Sequence, residues 1–520
     1  MRAKFALLIA FVLSLGSFSL SAIGPVANLY IGNADISPDS FRRSAVLAGT
    51  SASNLTTIGP LIRGNVGDRF RLNVINRLRD TRMLRTTSIH WHGLFQTGTA
   101  WADGVVGATQ CPIVPGDSFE YRFKSGRQAA TQYCDGLRGP LVIYDPDDPH
   151  QDLYDIDNES TVITVGDWYH TFAPGANAGG PTPASTLING IGRYPNGPAI
   201  PLAVINVVRN KRYRFRLVNI ACTPSYTFSI DSHKMTIIEV EGENVQPYTV
   251  TSMEIYAGQR YSFVVNADQP VGNYRIRANP SYGPRDYQGG INSAILRYAG
   301  APNREPTTVD DGGANSMVES NLHSLVDQAA VGIPIPGAAD VNINLQIGFK
   351  DDHFNVNGVV FHHPELPVLL QLLDGAPAQD LVPKGSIYTL PRNKVIEVSI
   401  PGLDLGAPHP MHLHGHAFDV IRVAGSSEYN FVDPPKRDVV NIGKLGDNVT
   451  IRFKTNNAGP WILHCHVDWH LEFGLAVIFA EDTRAISNME PPCAYTPIFY
   501  TPFTDDRLYL SRLGGPLPSI

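Results

Sequence analysis

The sequence predicts an all-β chain made of three sandwich modules in tandem. Three observations carry this: a composition rich in turn formers and poor in charge, a length that fits three domains, and a strand pattern that recurs at wide intervals. Of 520 residues, 43% are hydrophobic and only 17% charged, while glycine (47) and proline (40) are abundant. That balance suits short strands joined by tight turns better than helices or disorder. At roughly 100–200 residues per domain, the length allows about three domains, each with a core.

The recurring pattern is visible in Arg69-Phe70-Arg71-Leu72-Asn73-Val74, Tyr213-Arg214-Phe215-Arg216-Leu217-Val218 and Val449-Thr450-Ile451-Arg452-Phe453. The first and last follow Gly-Asp turns (Gly67-Asp68, Gly446-Asp447), and the middle one follows Asn210-Lys211. All three alternate apolar and polar residues, as half-buried strands do. Their similarity suggests one β-sandwich module used three times. The stretches Ala173–Pro183 and Pro302–Ala314 read as surface loops or linkers. Boundaries are expected near residues 148 and 317, giving domains 22–148, 149–317 and 318–520.

Residues 1–21 carry Arg2 and Lys4, then an apolar run, then small residues, the pattern of a secretory signal cleaved near Ser21 or Ala22. The apolar run is short and serine-rich, which disfavours the alternative of a membrane anchor. No other run is long enough to span a bilayer, so no membrane partner is expected after cleavage. A net charge of −7 without a basic run argues against nucleic-acid binding. Sequons at Asn54, Asn158 and Asn448 fit a secreted, extracellular glycoprotein. The five cysteines are Cys111, Cys134, Cys222, Cys465 and Cys493. An odd count in an oxidising compartment leaves one thiol, expected to be Cys465. The other four allow two disulfides whose pairing the spacing does not fix.

Cys465 stands out because of its neighbours: His464-Cys465-His466-Val467-Asp468-Trp469-His470. Upstream lie His90-Trp91-His92 and the group His409, His412, His414 and His416. Nine of sixteen histidines thus fall in three tight groups around one thiol. Thiolate and imidazole are the ligands copper prefers, and a His₂Cys set marks a blue electron-transfer site. Strand side chains alternate between faces, so Cys465 should point one way and His464 and His466 the other. His90 and His92 should share a face, as should His412 and His414, while His409 has the opposite parity. One strand could therefore touch two metal sites.

These motifs, together with Ile89-His90-Trp91-His92-Gly93 and Gln132-Tyr133-Cys134-Asp135-Gly136, resemble the multicopper oxidases, and among them most closely the fungal laccases. The resemblance covers nearly the whole mature chain. It implies three cupredoxin domains, four copper ions per monomer, and one-electron oxidation of phenols coupled to four-electron reduction of O₂. It implies that His409, Cys465 and His470 bind a type 1 copper and that His90 and His412 bind type 2. His92 with His466, and His414 with His464, would hold the two type 3 ions. Disulfides Cys111–Cys493 and Cys134–Cys222 are implied, and His416 matches a position that is not a ligand. Leu475 occupies the axial position of type 1, where it cannot coordinate, so a moderate to high potential is expected. Asp103 and Asp468 match positions near the cluster, suited to orienting ligands and delivering protons. The partners implied are small phenols and O₂, the protein is expected to be a monomer, and the role to be lignin degradation or detoxification of phenolics.

Two departures stand out. Laccases carry a further His-x-His strand before the segment matching Thr131-Gln132-Tyr133-Cys134. Here Phe119–Phe123 runs through Lys124-Ser125-Gly126-Arg127-Gln128-Ala129-Ala130 straight into Thr131, with no histidine between His92 and His150. About nine residues are missing, most of a typical strand, and each type 3 ion would lose one imidazole. Nothing in the spacing of His150 or His170 recommends either as a substitute. The chain is then either a degenerate oxidase, leaving a non-catalytic type 1 copper protein, or a sequence with coding bases lost. The clean restart at Thr131 favours the second. An oxidase for ferrous iron or ascorbate is the remaining alternative, though no set of carboxylates for iron is identifiable. The other departure is Thr223, which follows Cys222 where many laccases have a carboxylate. A threonine can hydrogen-bond a phenol but cannot take its proton.

Overall fold

The structure is a computed structural model that describes residues 22–125, 130–131, 134–310, 313–326, 328–405, 408–486 and 489. The expected secretory signal at residues 1–21, Cys493 with its expected bond to Cys111, and most of the segment between Ser125 and Cys134 lie outside these residues.

The described chain forms sandwiches of short strands, as the composition requires. In the first, a five-stranded sheet runs in the order Asn54–Thr56, Arg43–Ser51, Val26–Ile36, Arg69–Arg77 and Ser118–Lys124. A smaller sheet holds Ala22–Ile23, Leu61–Asn65, Gly139–Tyr144 and Ala130–Thr131. The middle region has sheets of seven and five strands. In the last, two five-stranded sheets are joined by a two-stranded hairpin, Ile347–Lys350 with His353–Val356.

All three segments expected as strands are strands, at Arg69–Arg77, Arg212–Asn219 and Asn448–Lys454. The residues ahead of them turn with positive φ, at +89° for Gly67, +96° for Gly446 and +64° for Asn210. Only the first strand is half-buried, with Phe70, Leu72 and Val74 inside and its arginines outside. The other two are covered on both faces, contrary to expectation. Their polar positions are arginines that find carboxylates indoors: Arg452 with Glu397 at 2.7 Å and Arg214 with Glu239 at 2.6 Å. A paired, hydrogen-bonded charge can be buried where an unpaired one cannot.

One apolar core runs without a break from the first sandwich into the last, through Trp91, Ala100, Trp461 and Val477, whereas the middle sandwich keeps its own. This continuity brings His90 and His92 against the histidines near the C-terminus.

Candidate metal centre

Strands Pro410–Leu413 and Gly459–Cys465 pair antiparallel in the middle of their sheet, with Met411 opposite Cys465 and His412 opposite His464. Alternation then separates two ligand sets, as the sequence spacing requires.

On one face, Sγ of Cys465 lies 3.4 Å from Nδ1 of His470 and 3.9 Å from Nδ1 of His409. His470 arrives on the short helix Asp468–Glu472 directly after the strand, and His409 sits just ahead of the partner strand. Leu475 is fully buried, and its carbonyl accepts the N–H of Cys465 at 3.1 Å, so an apolar side chain follows the ligands. The Phe354 ring covers both imidazoles, 4.5 Å from His470 and 5.6 Å from His409 between centroids. Burial pushes the Cys465 thiol well up and lowers both imidazoles, His409 to about 4. A neutral thiol between neutral imidazoles is a soft donor set that a bound cation would convert to thiolate.

On the other face, six imidazoles from two sandwiches converge: His90, His92, His412, His414, His464 and His466. The outer nitrogens of five are already committed, while Nδ1 of His466 is buried without a hydrogen-bond partner. Nδ1–H of His90 donates to the Asp103 carbonyl, Nδ1–H of His412 to the Asp438 carbonyl and Nδ1–H of His464 to the Cys465 carbonyl, each at 2.8 Å. Nδ1–H of His414 donates to Oδ2 of Asp103, also at 2.8 Å. The Nε2 atoms of these four rings therefore carry lone pairs, and they face one another in two pairs: His414 and His464 at 3.1 Å, His90 and His412 at 3.5 Å. Nδ1 of His92 and Nε2 of His466 face each other at 2.9 Å. Lone pairs held this close in the interior repel unless a cation lies between them, so the donor set fits copper. Burial also depresses His92, His412, His414 and His466 well below their ordinary value and His464 to about 4, which keeps them in the ligating, neutral form. Ligand atoms of His409, Cys465 and His470, of His90, His92 and His412, and of His412, His414 and His464 each fall within 4.8 Å of one another.

Three segments of the chain, residues 41–148, 159–301 and 361–485, match the multicopper oxidase family. The chain belongs to that family. It is 56% identical to Laccase-2 of Pleurotus ostreatus, over 96% of each chain. It is 54% identical to a laccase of Trametes hirsuta, over 94% of this chain and 96% of the other. Among solved structures, the laccase of Botrytis aclada superposes with a TM-score of 0.74 at 28% identity, covering 95% of this chain and 92% of that one.

Within this multicopper oxidase, the expected site residues do not all gather at the metal-ligand sets. Asp103 does, touching His90 and His414 and leaving Oδ1 buried without a hydrogen-bond partner. Asp468 does not: its Oδ2 lies 2.9 Å from Sγ of Cys134 and 3.5 Å from Sγ of Cys222, and its described side-chain contacts include no imidazole. Helix Asp468–Glu472 turns it toward that disulfide, which is formed as the resemblance implied. Burial, with Glu472 nearby, pushes this carboxyl up to about 8. The carboxylate that the sequence reading missed is Asp438, which accepts Nε2–H of His92 at 3.0 Å. It sits among Lys436, Arg437 and Val439, where no histidine or cysteine marks the spot.

Thr223 is also corrected. Its hydroxyl is buried, accepts Nε1–H of Trp469 at 3.0 Å and shares a hydrogen bond with the Tyr169 hydroxyl at 3.1 Å, so it is not open to a phenol. His416 pairs with Glu481 and is no ligand in this geometry. His170 pairs with Asp39, and neither it nor His150 joins a group of facing ligand atoms among the described residues. Asn54 and Asn158 are exposed, and Asn448 is half-buried.

The depressed imidazoles fix a pH dependence. The unfolded chain takes up protons near 6.5 while the folded one resists them, so stability present above that value is lost as pH falls toward about 4. Urea unfolding of the copper-free protein should show its midpoint falling steadily from pH 7 to pH 4. A flat profile over that range would contradict the burial of these rings.

Proposed function

We propose that this chain works as a laccase, a secreted monomer that takes single electrons from phenols and diphenols and reduces O₂ to water. The observation that carries this reading is the back-to-back arrangement on one strand: a thiol with two imidazoles on one face, a six-imidazole cluster on the other. The laccase relatives from P. ostreatus and T. hirsuta support it. Copper held in these sets supplies one-electron oxidation at the thiol and four-electron oxygen chemistry at the cluster.

His409, Cys465 and His470 would hold the type 1 ion and His90 with His412 the type 2 ion. His92 with His466, and His414 with His464, would hold the type 3 pair. The peptide bonds on either side of Cys465 join its thiol to His464 and His466, giving a short covalent route between the two sets. Asp103, bonded to His414 through Oδ2 and with Oδ1 3.4 Å from Nδ1 of His90, orients the cluster and is placed to pass protons. Because the Thr223 hydroxyl is engaged, the proton of a phenol leaves to solvent or to another base. Glycosylation at Asn54 and Asn158 and cleavage of residues 1–21 fit export, and no described helix is long and apolar enough to cross a membrane. Breakdown of lignin or detoxification of phenolics is the role that suits such an enzyme.

Oxygen uptake tests the reading. The copper-loaded protein should turn blue and consume O₂ on addition of a diphenol, without accumulating peroxide. A stable blue colour with no oxygen consumption would make it a copper carrier instead.

A further inference from the structure

The middle sandwich supplies no imidazole to either ligand set, yet it reaches the cluster at one corner. Gly258, with φ of +81°, lies so close to His466 that a Cβ there would fall 2.5 Å from the ring. Two residues on, Arg260 holds Asp438 with both arms, from its two terminal nitrogens to Oδ1 and Oδ2, each at 2.6 Å. Glu241, also from the middle sandwich, accepts the backbone N–H groups of Asp438 and Val439 at 2.8 and 2.9 Å and pairs with Arg437 at 2.7 Å. Asp438 in turn binds both His92, through Oδ1, and His412, through its carbonyl.

We propose that the Gly258–Arg260 corner is the positioning device of the cluster. Arg260 locks the Asp438 carboxylate, which draws the proton of His92 to Nε2 and so aims the Nδ1 lone pair inward, while Gly258 makes room for His466 opposite. His92 is thereby singled out: His90, His412, His414 and His464 carry their outer protons on Nδ1 and present Nε2, whereas His92 presents Nδ1. A neutral imidazole chooses its tautomer by the acceptor it meets, and partners of this kind govern ligand orientation. Without the guanidinium the carboxylate is free to turn away, and His92 loses the acceptor that fixes it. Because Asp438 also anchors His412, the disturbance reaches ligands from both the first and the last sandwich. It does not reach His409, Cys465 or His470, none of which Asp438 touches.

The proposal rests on the reading that the cluster holds copper, so its test begins on copper-free protein. Nitrogen NMR of the full chain with ¹⁵N-labelled histidine should show His92 protonated at Nε2. In Arg260→Met it should become a mixture of tautomers, and Arg260→Lys should restore the native form in large part. Arg260→Gln provides the same comparison if the methionine variant folds poorly. On loading, Arg260→Met should bind copper at the cluster about 10–100-fold more weakly, the usual effect of removing an outer partner, while the blue type 1 colour stays. Arg452→Met, which breaks a different buried arginine–carboxylate pair whose described contacts include no imidazole, should leave both readouts unchanged. An unaltered His92 tautomer in Arg260→Met and Arg260→Gln would overturn the proposal, as would the same shift in Arg452→Met. If the cluster fails to load in the parent protein while the tautomer shifts as described, the copper reading fails and the positioning role stands.

Discussion

Replacing Cys465 by serine should abolish the blue colour and phenol-driven oxygen uptake together, down to the uncatalysed rate. The side chain is fully buried, with Nδ1 of His470 at 3.4 Å and of His409 at 3.9 Å. A hydroxyl is close in size, so the fold should survive. It is not a soft ligand, and the covalent copper–thiolate interaction that gives blue sites their colour needs sulfur. The six-imidazole cluster lies on the opposite face of the strand and keeps its donors, so Cys465→Ser should lose one copper per chain and retain cluster copper. Metal analysis beside visible absorption separates these effects. Retained colour in the variant, or copper uptake by the parent without any blue, would sink the assignment of the thiol.

Restoring a His-x-His strand of about nine residues between Phe123 and Thr131 should produce the largest gain. The described imidazoles face each other in three pairs, and a family pattern with a further His-x-His would give each type 3 ion a third ligand. Losing a direct ligand should weaken a copper site at least as much as losing an outer partner, about 10–100-fold, and it loosens the geometry that oxygen reduction requires. Copper per chain should rise to four and oxygen uptake should increase by at least that factor, with colour and type 1 potential unchanged. The edge pair Ala130–Thr131 with Gly139–Pro140 shows where such a strand would join the smaller sheet of the first sandwich. If the lengthened protein binds four coppers and oxygen uptake does not rise, the missing imidazoles are not the cause of any deficit.

Much of the site was legible because its information is local. The i, i+2 spacing of His412 and His414, and the flanking of Cys465 by His464 and His466, specify faces once a strand is assumed. The apolar alternation of Arg69–Val74 likewise specified a half-buried strand. Where reading failed, the deciding contact was remote in sequence. Arg214 and Arg452 looked solvent-facing until Glu239 and Glu397 were seen to pair with them indoors. Asp468 looked like a cluster residue by its place beside His466 and His470, but a helix begins there and turns it to the Cys134–Cys222 disulfide. Thr223 looked available to substrate until Trp469 and Tyr169 were found on its hydroxyl.

The sequence alone determined the all-β class, the ligand types, and which ligands share a face, since period and chemistry are properties of neighbouring residues. Only the tertiary structure decided which imidazole nitrogens look inward and which carboxylates hold them. Those depend on acceptors such as Asp103 and Asp438, and on Arg260 from the middle sandwich. A proton settles on whichever ring nitrogen meets an acceptor, and that meeting exists only once distant segments have packed.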